Sequence, residues 1–333
     1  MNKSGIIRDI KKAVIIRTDR IGEVLLCTPV IDALMWSFPG VKISFVTSDY
    51  SKDIITGRPD IERVIIFSTI GCNQSFFKAL RLAWTLKAGS FDMAVVLNPH
   101  KLLHLAVFLA GIKYRVGFDR KWGFLLNAKV TDKRDEAEYH EAEYNLRLLR
   151  AVDVYRDGIL PSMSFLPQRL TRVRAILKEQ GLSGDRKVIV IHPGSSNPYK
   201  IYPAEKFVVI IKALAYAKAA DIVLIGHAGE RALCDRIAAD SGQGVYNLCG
   251  FFDLKGLAAL FQCADLFITN DNGPMHIAAC SGTRVLALFN RKANGSNPRR
   301  WSPCGKGHVV LYKTFSELEP EEVIEQARLM LKE

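Results

Sequence analysis

The stretch from residue 265 to residue 289 limits most narrowly the folds that this chain can adopt. An apolar run at 266–269 predicts a buried strand, and this run ends at the turn-forming sequence 270–274. A short Ala-rich helix follows, and Ser281 and Gly282 then lead into a second apolar strand at 284–289. This order predicts a unit of two parallel strands, in which the carboxyl end of the first strand meets the amino end of the helix.

The same alternation of strands and helices runs through the rest of the chain. Strands are predicted at 13–17, 42–47, 63–67, 93–97 and 114–116, and again at 187–191, 221–225, 266–269, 284–288 and 308–311. An irregular, Pro-containing stretch at 151–168 separates the two sets. We therefore predict an α/β protein with two Rossmann-like parallel-sheet domains, residues 1–158 and 165–317, facing across a cleft. Ligands of such open sheets bind beyond the carboxyl ends of the strands.

Composition narrows the classes of function. The 333 residues are 49% hydrophobic, which is ample for two cores and argues against disorder. Seven cysteines without a CxxC pair indicate reduced core residues of a cytosolic protein, and neither a zinc site nor a paired-carboxylate metal site can be read from the sequence. No apolar run is long enough to cross a bilayer, and the first 20 residues do not resemble a signal peptide. We expect a cytoplasmic protein that needs no cofactor.

Basic residues are concentrated between positions 113 and 134, within a chain whose formal net charge is +12. Such a patch suits phosphates, an anionic membrane surface or nucleic acid, and a solvated basic loop is the alternative. Nucleic acid is not expected, because no recognised nucleic-acid motif is present. Two aspartates oppose seven basic residues, which are Lys113, Arg115, Arg120, Lys121, Lys129, Lys133 and Arg134.

Three polar clusters follow predicted strands and could carry chemistry. In the first, Glu23 lies in the first turn of an apolar helix. There it could act as a general base, or it could simply stabilise the helix through the favourable interaction of its negative charge with the helix dipole. In the second, Ser195, Ser196 and Lys200 supply the donors and the positive charge that a diphosphate requires, although the spacing is not that of a Walker loop. In the third, Glu230 could accept a hydrogen bond from a ribose hydroxyl, or it could cap the following helix.

The corner at 270–274 is a fourth candidate. Pro274 suits a first helical turn, and Asp271 or Asn272 can cap the helix. The unpaired N–H groups of such a helix start attract phosphate, and Asp271 and His276 lie five positions apart, so both could face one ligand. An ordinary strand-to-helix corner is the alternative. No GxGxxG sequence is present, which argues against a nicotinamide enzyme.

Taken together, these clusters resemble the family 9 glycosyltransferases, whose best-known members are the ADP-heptose:lipopolysaccharide heptosyltransferases. Three motifs carry the resemblance, and their order and spacing span almost the whole chain. They are RTDRIGEVLLCTPVIDAL, HPGSSNPYKIYPAEKF and TNDNGPMHIAACSGTRVLALF.

The resemblance implies a GT-B fold with the nucleotide sugar on the carboxyl-terminal domain and the acceptor on the amino-terminal one. It also implies that a final helix, residues 318–333, packs back on the amino-terminal domain. The implied activity is inverting transfer of a heptose, or a related sugar, from ADP-heptose to the lipopolysaccharide inner core or another lipid-linked saccharide. Peripheral contact with the cytoplasmic face of the inner membrane would accompany such an acceptor. A sugar-nucleotide epimerase of the same architecture and a non-catalytic nucleotide-sugar-binding protein are the alternatives.

Motif positions also assign residues to roles. Glu23 falls where the family has a catalytic aspartate, and it reaches one methylene further; Lys200 falls on the family's diphosphate-binding lysine. The basic residues expected on the acceptor side are Arg20, Arg115, Arg120 and Lys121. The remaining residues expected to bind the donor are Ser195, Ser196, Glu230, Asp271, Asn272, Gly273, Pro274, Met275 and His276.

Overall fold

The computed structural model describes residues 9–67, 76–164, 167–182, 184–216 and 220–332. The chain forms two compact units, Met1–Ser164 and Phe165–Glu333. The boundary between them lies inside the Pro-containing stretch that was predicted as a linker. Cys72, one of the seven expected core cysteines, lies outside the described residues, and the six others are free thiols.

The first unit is built on a six-stranded parallel sheet with the strand order β3-β2-β1-β4-β5-β6. Its strands are β1 (Lys12–Ile16), β2 (Lys42–Thr47), β3 (Ile61–Ile66), β4 (Met93–Val96), β5 (Tyr114–Phe118) and β6 (Ala128–Val130). Its helices are α1 (Ile21–Leu25), α2 (Thr28–Ser37), α3 (Phe76–Gly89), α4 (Lys101–Leu109) and α5 (Glu141–Leu148).

Helices cover both faces of this sheet, since the strand order reverses direction after β3 and parallel crossovers are right-handed. The inner sides of α3 and α4 pack on one face, where Leu82, Leu86, Leu103 and Val107 join sheet residues such as Val96 in one buried cluster. Burying apolar side chains in this way stabilises the domain by roughly 25 cal/mol per Å².

The second unit repeats this plan with the strand order β12-β11-β10-β7-β8-β9, again entirely parallel. Its strands are β7 (Lys187–His192), β8 (Ala220–Leu224), β9 (Val245–Asn247), β10 (Leu266–Asn270), β11 (Val285–Asn290) and β12 (Val309–Lys313). Its helices are α6 (Pro167–Glu179), α7 (Ala204–Ala215), α8 (Arg231–Ser241), α9 (Leu254–Gln262), α10 (Gly273–Cys280), α11 (Pro298–Trp301) and α12 (Pro320–Lys332). Two Rossmann-like parallel-sheet domains were predicted, and that prediction is confirmed.

Helix α12 corrects one expectation. Its apolar side packs into the core of the second unit, where Val323, Ala327 and Met330 are buried beside α7. The prediction that residues 318–333 pack back on the amino-terminal domain is therefore wrong for this chain. Amphipathic spacing shows that a helix has an apolar side, but it does not say which core that side covers.

Smaller differences concern helix boundaries. The apolar stretch 24–38, whose sequence alone predicts one continuous helix, is divided into α1 and α2, because Pro29 at the start of α2 has no N–H to continue the first helix. The stretch 50–56, for which the sequence alone also predicts a helix, contains a 3₁₀ turn, Lys52–Ile54. Among the described residues, no helix is both long and apolar enough to cross a membrane.

Candidate functional site

The polar residues of the second unit converge at the carboxyl edge of its sheet. Strands β7 and β10 are neighbours, with Thr269 paired to His192, so the segments that follow them leave the sheet side by side. Asn270, the last residue of β10, ties these segments together. Its Nδ2 donates to the Pro193 carbonyl at 2.8 Å, and its Oδ1 accepts from the N–H of Tyr202 at 3.1 Å. Sequence reasoning placed Asn270 among the turn residues 270–274 and did not foresee these two contacts.

Lys200 and Asp271 form an ion pair at this edge. Lys200 Nζ lies 2.6 Å from Asp271 Oδ2, and the two side chains are 14% and 7% exposed. The hydroxyl of Ser296 donates to the same carboxylate oxygen at 2.9 Å. The structure thus brings together two of the residues that were predicted to bind the donor, and it adds Ser296, which sequence reasoning missed.

Asn272 determines how α10 begins. Its Oδ1 accepts from the N–H of Met275 at 3.3 Å, which caps the helix. Its Nδ2 donates to Thr269 Oγ1 at 2.8 Å and to His192 Nδ1 at 2.9 Å. One side chain therefore fixes the start of α10 relative to the ends of β10 and β7.

Fewer N–H groups at the start of α10 are available to an anion than the sequence led us to expect. We expected the N–H groups of 273–275 to face a phosphate, but Pro274 has no N–H and that of Met275 is bound by the cap of Asn272. Gly273, the first residue of the helix, is the member of this trio whose N–H can turn toward an anion. His276 is on the same helix and is buried.

Glu230 is held by two histidines. Its Oε2 lies 3.1 Å from His192 Nε2 and accepts from the backbone N–H of His227 at 2.9 Å. Since Asn272 donates to the other ring nitrogen of His192, Nε2 is the nitrogen that carries the proton and donates to Glu230. Burial alone would raise the pKa of Glu230, but the hydrogen bonds from His192 and His227 hold this pKa below its usual value. The carboxylate is therefore an ionised acceptor.

Two glycines make room for this carboxylate. A Cβ added at Gly194 would overlap the Glu230 carboxylate, and a Cβ added at Gly226 would lie 2.7 Å from Glu230 Oε2. The close approach of backbone to carboxylate at the ends of β7 and β8 thus requires glycine at both positions. Glu230 also completes a capping box with His227, so the ribose-binding and helix-capping interpretations describe the same side chain.

The serines predicted to bind the diphosphate lie on the segment between β7 and Lys200. Ser195 Oγ accepts from the N–H of Asn197 at 3.3 Å, and Asn197 in turn caps the 3₁₀ turn Pro198–Lys200. Ser196 is exposed. Both hydroxyls thus belong to the segment that carries Lys200.

In the first unit, Arg17 organises the carboxyl edge of the sheet. This residue is 3% exposed, and its Nε donates to Asp19 Oδ1 at 2.7 Å. Its Nη1 donates to the Leu97 carbonyl and to Glu141 Oε1, both at 3.2 Å. Arg134 reaches the same Glu141 oxygen at 3.4 Å, so two arginines surround a fully buried carboxylate. This pairing of opposite charges offsets the cost of removing them from water.

Glu23 lies in α1 beside this network. Burial and then the neighbouring Asp19 carboxylate raise the pKa of Glu23, while Arg17 and Arg20 act in the opposite direction. A carboxylate with a raised pKa accepts a proton more readily than an exposed glutamate does, which is what a general base requires. Arg20 immediately precedes α1 and is exposed.

The basic residues expected on the acceptor side have different surroundings. Arg115 is half-buried and donates to the carbonyls of Ile112 and Leu125 at 2.7 and 2.8 Å, which fixes the loop around it. Arg120 is exposed and lies 3.4 Å from Asp132. Lys121 is exposed, with a positive φ of 60°. Three of the other basic residues are exposed, and only Arg134 is buried in an ion pair; the exposed ones are Lys113, Lys129 and Lys133.

The described part of the chain contains no group of three or more His, Cys, Asp or Glu side chains arranged to hold a metal ion.

Comparison with known proteins assigns this architecture to a family. The sequence profile of Glycosyltransferase family 9 (heptosyltransferase) matches residues 79–327. A putative glycosyltransferase of Haemophilus influenzae is 28% identical over 88% of this chain and 86% of its own length. Lipopolysaccharide heptosyltransferase 3 of Escherichia coli is 26% identical over 80% of this chain and 79% of its own length.

Solved structures show the same fold. A family 9 glycosyl transferase from Veillonella parvula superposes with a TM-score of 0.89 and 21% identity, covering 99% of both chains. The ADP-heptose LPS heptosyltransferase II of E. coli gives a TM-score of 0.81 and 21% identity, covering 96% of this chain and 98% of its own. The predicted GT-B class of fold is confirmed by these similarities.

Proposed function

This chain belongs to glycosyltransferase family 9, and from that membership we propose that it transfers a heptose, or a related sugar, from ADP-heptose to a lipid-linked saccharide. The acceptor that we favour is the inner core of lipopolysaccharide. The names of its relatives, a lipopolysaccharide heptosyltransferase and an ADP-heptose LPS heptosyltransferase, support both choices. An acceptor of this kind would bring the protein to the cytoplasmic face of the inner membrane.

One structural observation carries the proposal. At the carboxyl edge of β7, β8 and β10, a lysine, an ionised glutamate and the start of α10 lie around one corner of the sheet. These are the groups that a nucleoside diphosphate sugar requires: a cation and an amide for the phosphates, and an anionic acceptor for the ribose hydroxyls. We assign Lys200 and the N–H of Gly273 to the diphosphate and Glu230 to the ribose.

The proposed reaction is a single displacement. The acceptor oxygen forms a bond to the anomeric carbon while the bond from that carbon to the diphosphate oxygen breaks, so the configuration is inverted. Glu23 takes the proton of the acceptor hydroxyl, and the nucleoside diphosphate leaves with the electron pair. Positive charge grows on the sugar ring, and negative charge grows on the leaving diphosphate. Donors fixed around that diphosphate stabilise the transition state by a few kcal/mol each.

Two measurements test this function. Purified protein is first screened by mass spectrometry for retained ADP-, GDP- and UDP-sugars, and ADP-heptose is expected to be retained. It is then incubated with ADP-heptose with and without a lipid-linked inner-core saccharide. We expect release of ADP and a product one heptose heavier, of inverted configuration, only when the acceptor is present.

The same assay separates the alternatives. A sugar-nucleotide epimerase would convert its donor without any acceptor. A non-catalytic binding protein would retain the donor and give no product with any acceptor. Either result would overturn the proposed transfer.

A further inference from the structure

One layer of the first unit has an unusual outer surface. Helices α3 and α4 lie side by side on one face of the sheet, and the 3₁₀ turn Gly123–Leu125 packs against α4. The inner sides of both helices are buried in the same apolar cluster. Their outer sides therefore form one continuous surface, and the composition of this surface is not that of an ordinary solvent-facing layer.

The outer side of α3 combines aromatic and basic residues. Phe77 is 77% exposed and Trp84 is 73% exposed, and their spacing of seven residues places them on the same side of the helix. Arg81 lies between them, and Lys78 and Lys87 lie on the flanks. An amphipathic helix in a globular protein normally turns its large apolar residues inward. Here the inner side is apolar as well, with Leu82 and Leu86 in the core, so the outer aromatic residues are additional.

The surface continues onto α4 and the neighbouring turn. Phe108 and Leu109, at the end of α4, are 46% and 42% exposed, and Phe124 in the turn is 72% exposed. At the other end of α4, Lys101 Nζ lies 5.8 Å from the centre of the Trp122 ring. We call the outer surface formed by Phe77, Arg81, Trp84, Lys87, Phe108 and Phe124 the aromatic-basic face.

The charged side chains of α3 and α4 are all positive. Residues 76–127 contain eight Lys and Arg side chains but only two carboxylates, and neither of these belongs to α3 or α4. Asp92 accepts from the N–H groups of Lys11 and Lys12, and Asp119 pairs with Lys129 at 2.9 Å. Both carboxylates are thus engaged within the protein, and the helices present cations alone.

We propose that the aromatic-basic face docks on the surface of an anionic lipid bilayer. Exposed Trp and Phe side chains insert at the level of the lipid headgroups, and the surrounding Lys and Arg side chains attract anionic lipid. A second copy of the chain would place cations against cations on this face, which disfavours self-association. A bilayer is also where the lipid-linked acceptor of the proposed function would be found. The choice of a bilayer as the partner of this face rests in part on that function, whereas the description of the face itself does not.

The test is co-sedimentation of the full chain with vesicles of phosphatidylcholine, alone or with 30 mol % phosphatidylglycerol. The wild type should bind the anionic vesicles, and binding should weaken as salt rises, since screening reduces the attraction. Trp84→Ser should weaken binding about tenfold, and Phe77→Ser/Trp84→Ser and Arg81→Glu/Lys87→Glu should weaken it further.

Matched controls lie elsewhere on the chain. Trp36→Ser replaces a tryptophan that is 68% exposed on α2, in the layer on the opposite face of the sheet, and Lys178→Glu reverses an exposed charge on α6. Both controls should bind anionic vesicles as the wild type does. All replaced side chains are exposed, so thermal melting should show unchanged folding. If one variant is destabilised, brominated lipids give the same answer, because they should quench tryptophan fluorescence less in Trp84→Phe than in the wild type.

Three outcomes would overturn the proposal: no binding to anionic vesicles, equal losses in Trp84→Ser and Trp36→Ser, or a wild-type dimer that Phe77→Ser/Trp84→Ser converts to monomer. The assay contains no donor and no acceptor, so it is separate from the proposed transfer. Vesicle binding without transfer would refute the function alone, and transfer to a water-soluble acceptor without vesicle binding would refute the docking face alone.

Discussion

Lys200 Nζ and Asp271 Oδ2 lie 2.6 Å apart, although the two residues are 71 positions apart in the sequence. The lysine follows β7 and the aspartate follows β10, so the pairing of these neighbouring strands is what brings the two side chains together. Ser296 holds the carboxylate from a third segment. The position of the lysine is therefore fixed by the protein itself, and a preorganised cation stabilises a leaving diphosphate better than a mobile one.

Replacing this lysine tests its role in donor binding. Lys200→Ala removes one charge-assisted contact to the diphosphate and leaves the Asp271 carboxylate facing the same anion. We expect the affinity for ADP in calorimetry to fall by about 1.5–3 kcal/mol, or roughly 10- to 100-fold. Lys212→Ala, on the exposed side of α7, is the control and should bind ADP as the wild type does. Equal affinities of the two variants would remove Lys200 from the donor site.

Replacing Glu23 tests the proposed base. Glu23→Gln keeps the size of the side chain but cannot accept a proton, so turnover should fall about 10²- to 10⁴-fold while donor affinity stays nearly unchanged. The control is Glu62→Gln, an exposed carboxylate on the edge strand β3. A Glu23→Gln variant that retained full turnover would show that the proton goes elsewhere.

The raised pKa of Glu23 predicts a pH dependence. The base must be ionised, so the acid limb of kcat/KM should lie above the ordinary glutamate value of 4.5. For stability, a carboxyl whose pKa is higher in the folded than in the unfolded state destabilises the fold when it is ionised. This cost is absent below pH 4.5 and complete above the folded pKa.

Glu23→Gln removes that cost, so urea denaturation should show a stabilised variant at pH 7 and little difference from the wild type at pH 4. The same variant should thus be more stable and less active at neutral pH. A stability difference of the same size at both pH values would mean that the environment of Glu23 does not penalise its ionised form.

The space beside Glu230 gives a prediction about glycine. The added methyl group of Gly194→Ala would overlap the Glu230 carboxylate, so the carboxylate must move and its hydrogen bond to His192 must break. We expect weaker ADP binding and a lower Tm. The double variant Gly194→Ala/Glu230→Ala relieves the overlap and should recover Tm without recovering affinity. Recovery of affinity in the double variant would show that Glu230 does not bind the nucleotide.

Local sequence patterns predicted much of this fold. The bounds of α10, Gly273–Cys280, follow from Pro274 and the flanking apolar strands, and the helix begins within the turn-forming sequence 270–274. The strands β6 and β9 were not predicted, because three residues are too few to show a periodic pattern. The location of α12 was predicted wrongly, because it depends on which core accepts its apolar side.

The candidate site was predictable to the extent that its chemistry is local. Lys200, Glu230 and Asp271 were identified from charge and from their positions after strands. Asn270 and Ser296 were missed because their roles depend on partners that are 25 to 77 positions away in the sequence. Such partners become visible only once the pairing of β10 with both β7 and β11 is known.

Tyr202 links the loop of Lys200 to the end of the chain. Its N–H donates to Asn270 Oδ1, and its hydroxyl donates to the carbonyl of Leu318, just before α12 begins. A truncation that removes the last sixteen residues, Leu318 included, would therefore do more than shorten the protein. It would take away an anchor of the loop that carries Lys200, so under the proposed function a change at the distant carboxyl terminus would weaken nucleotide binding.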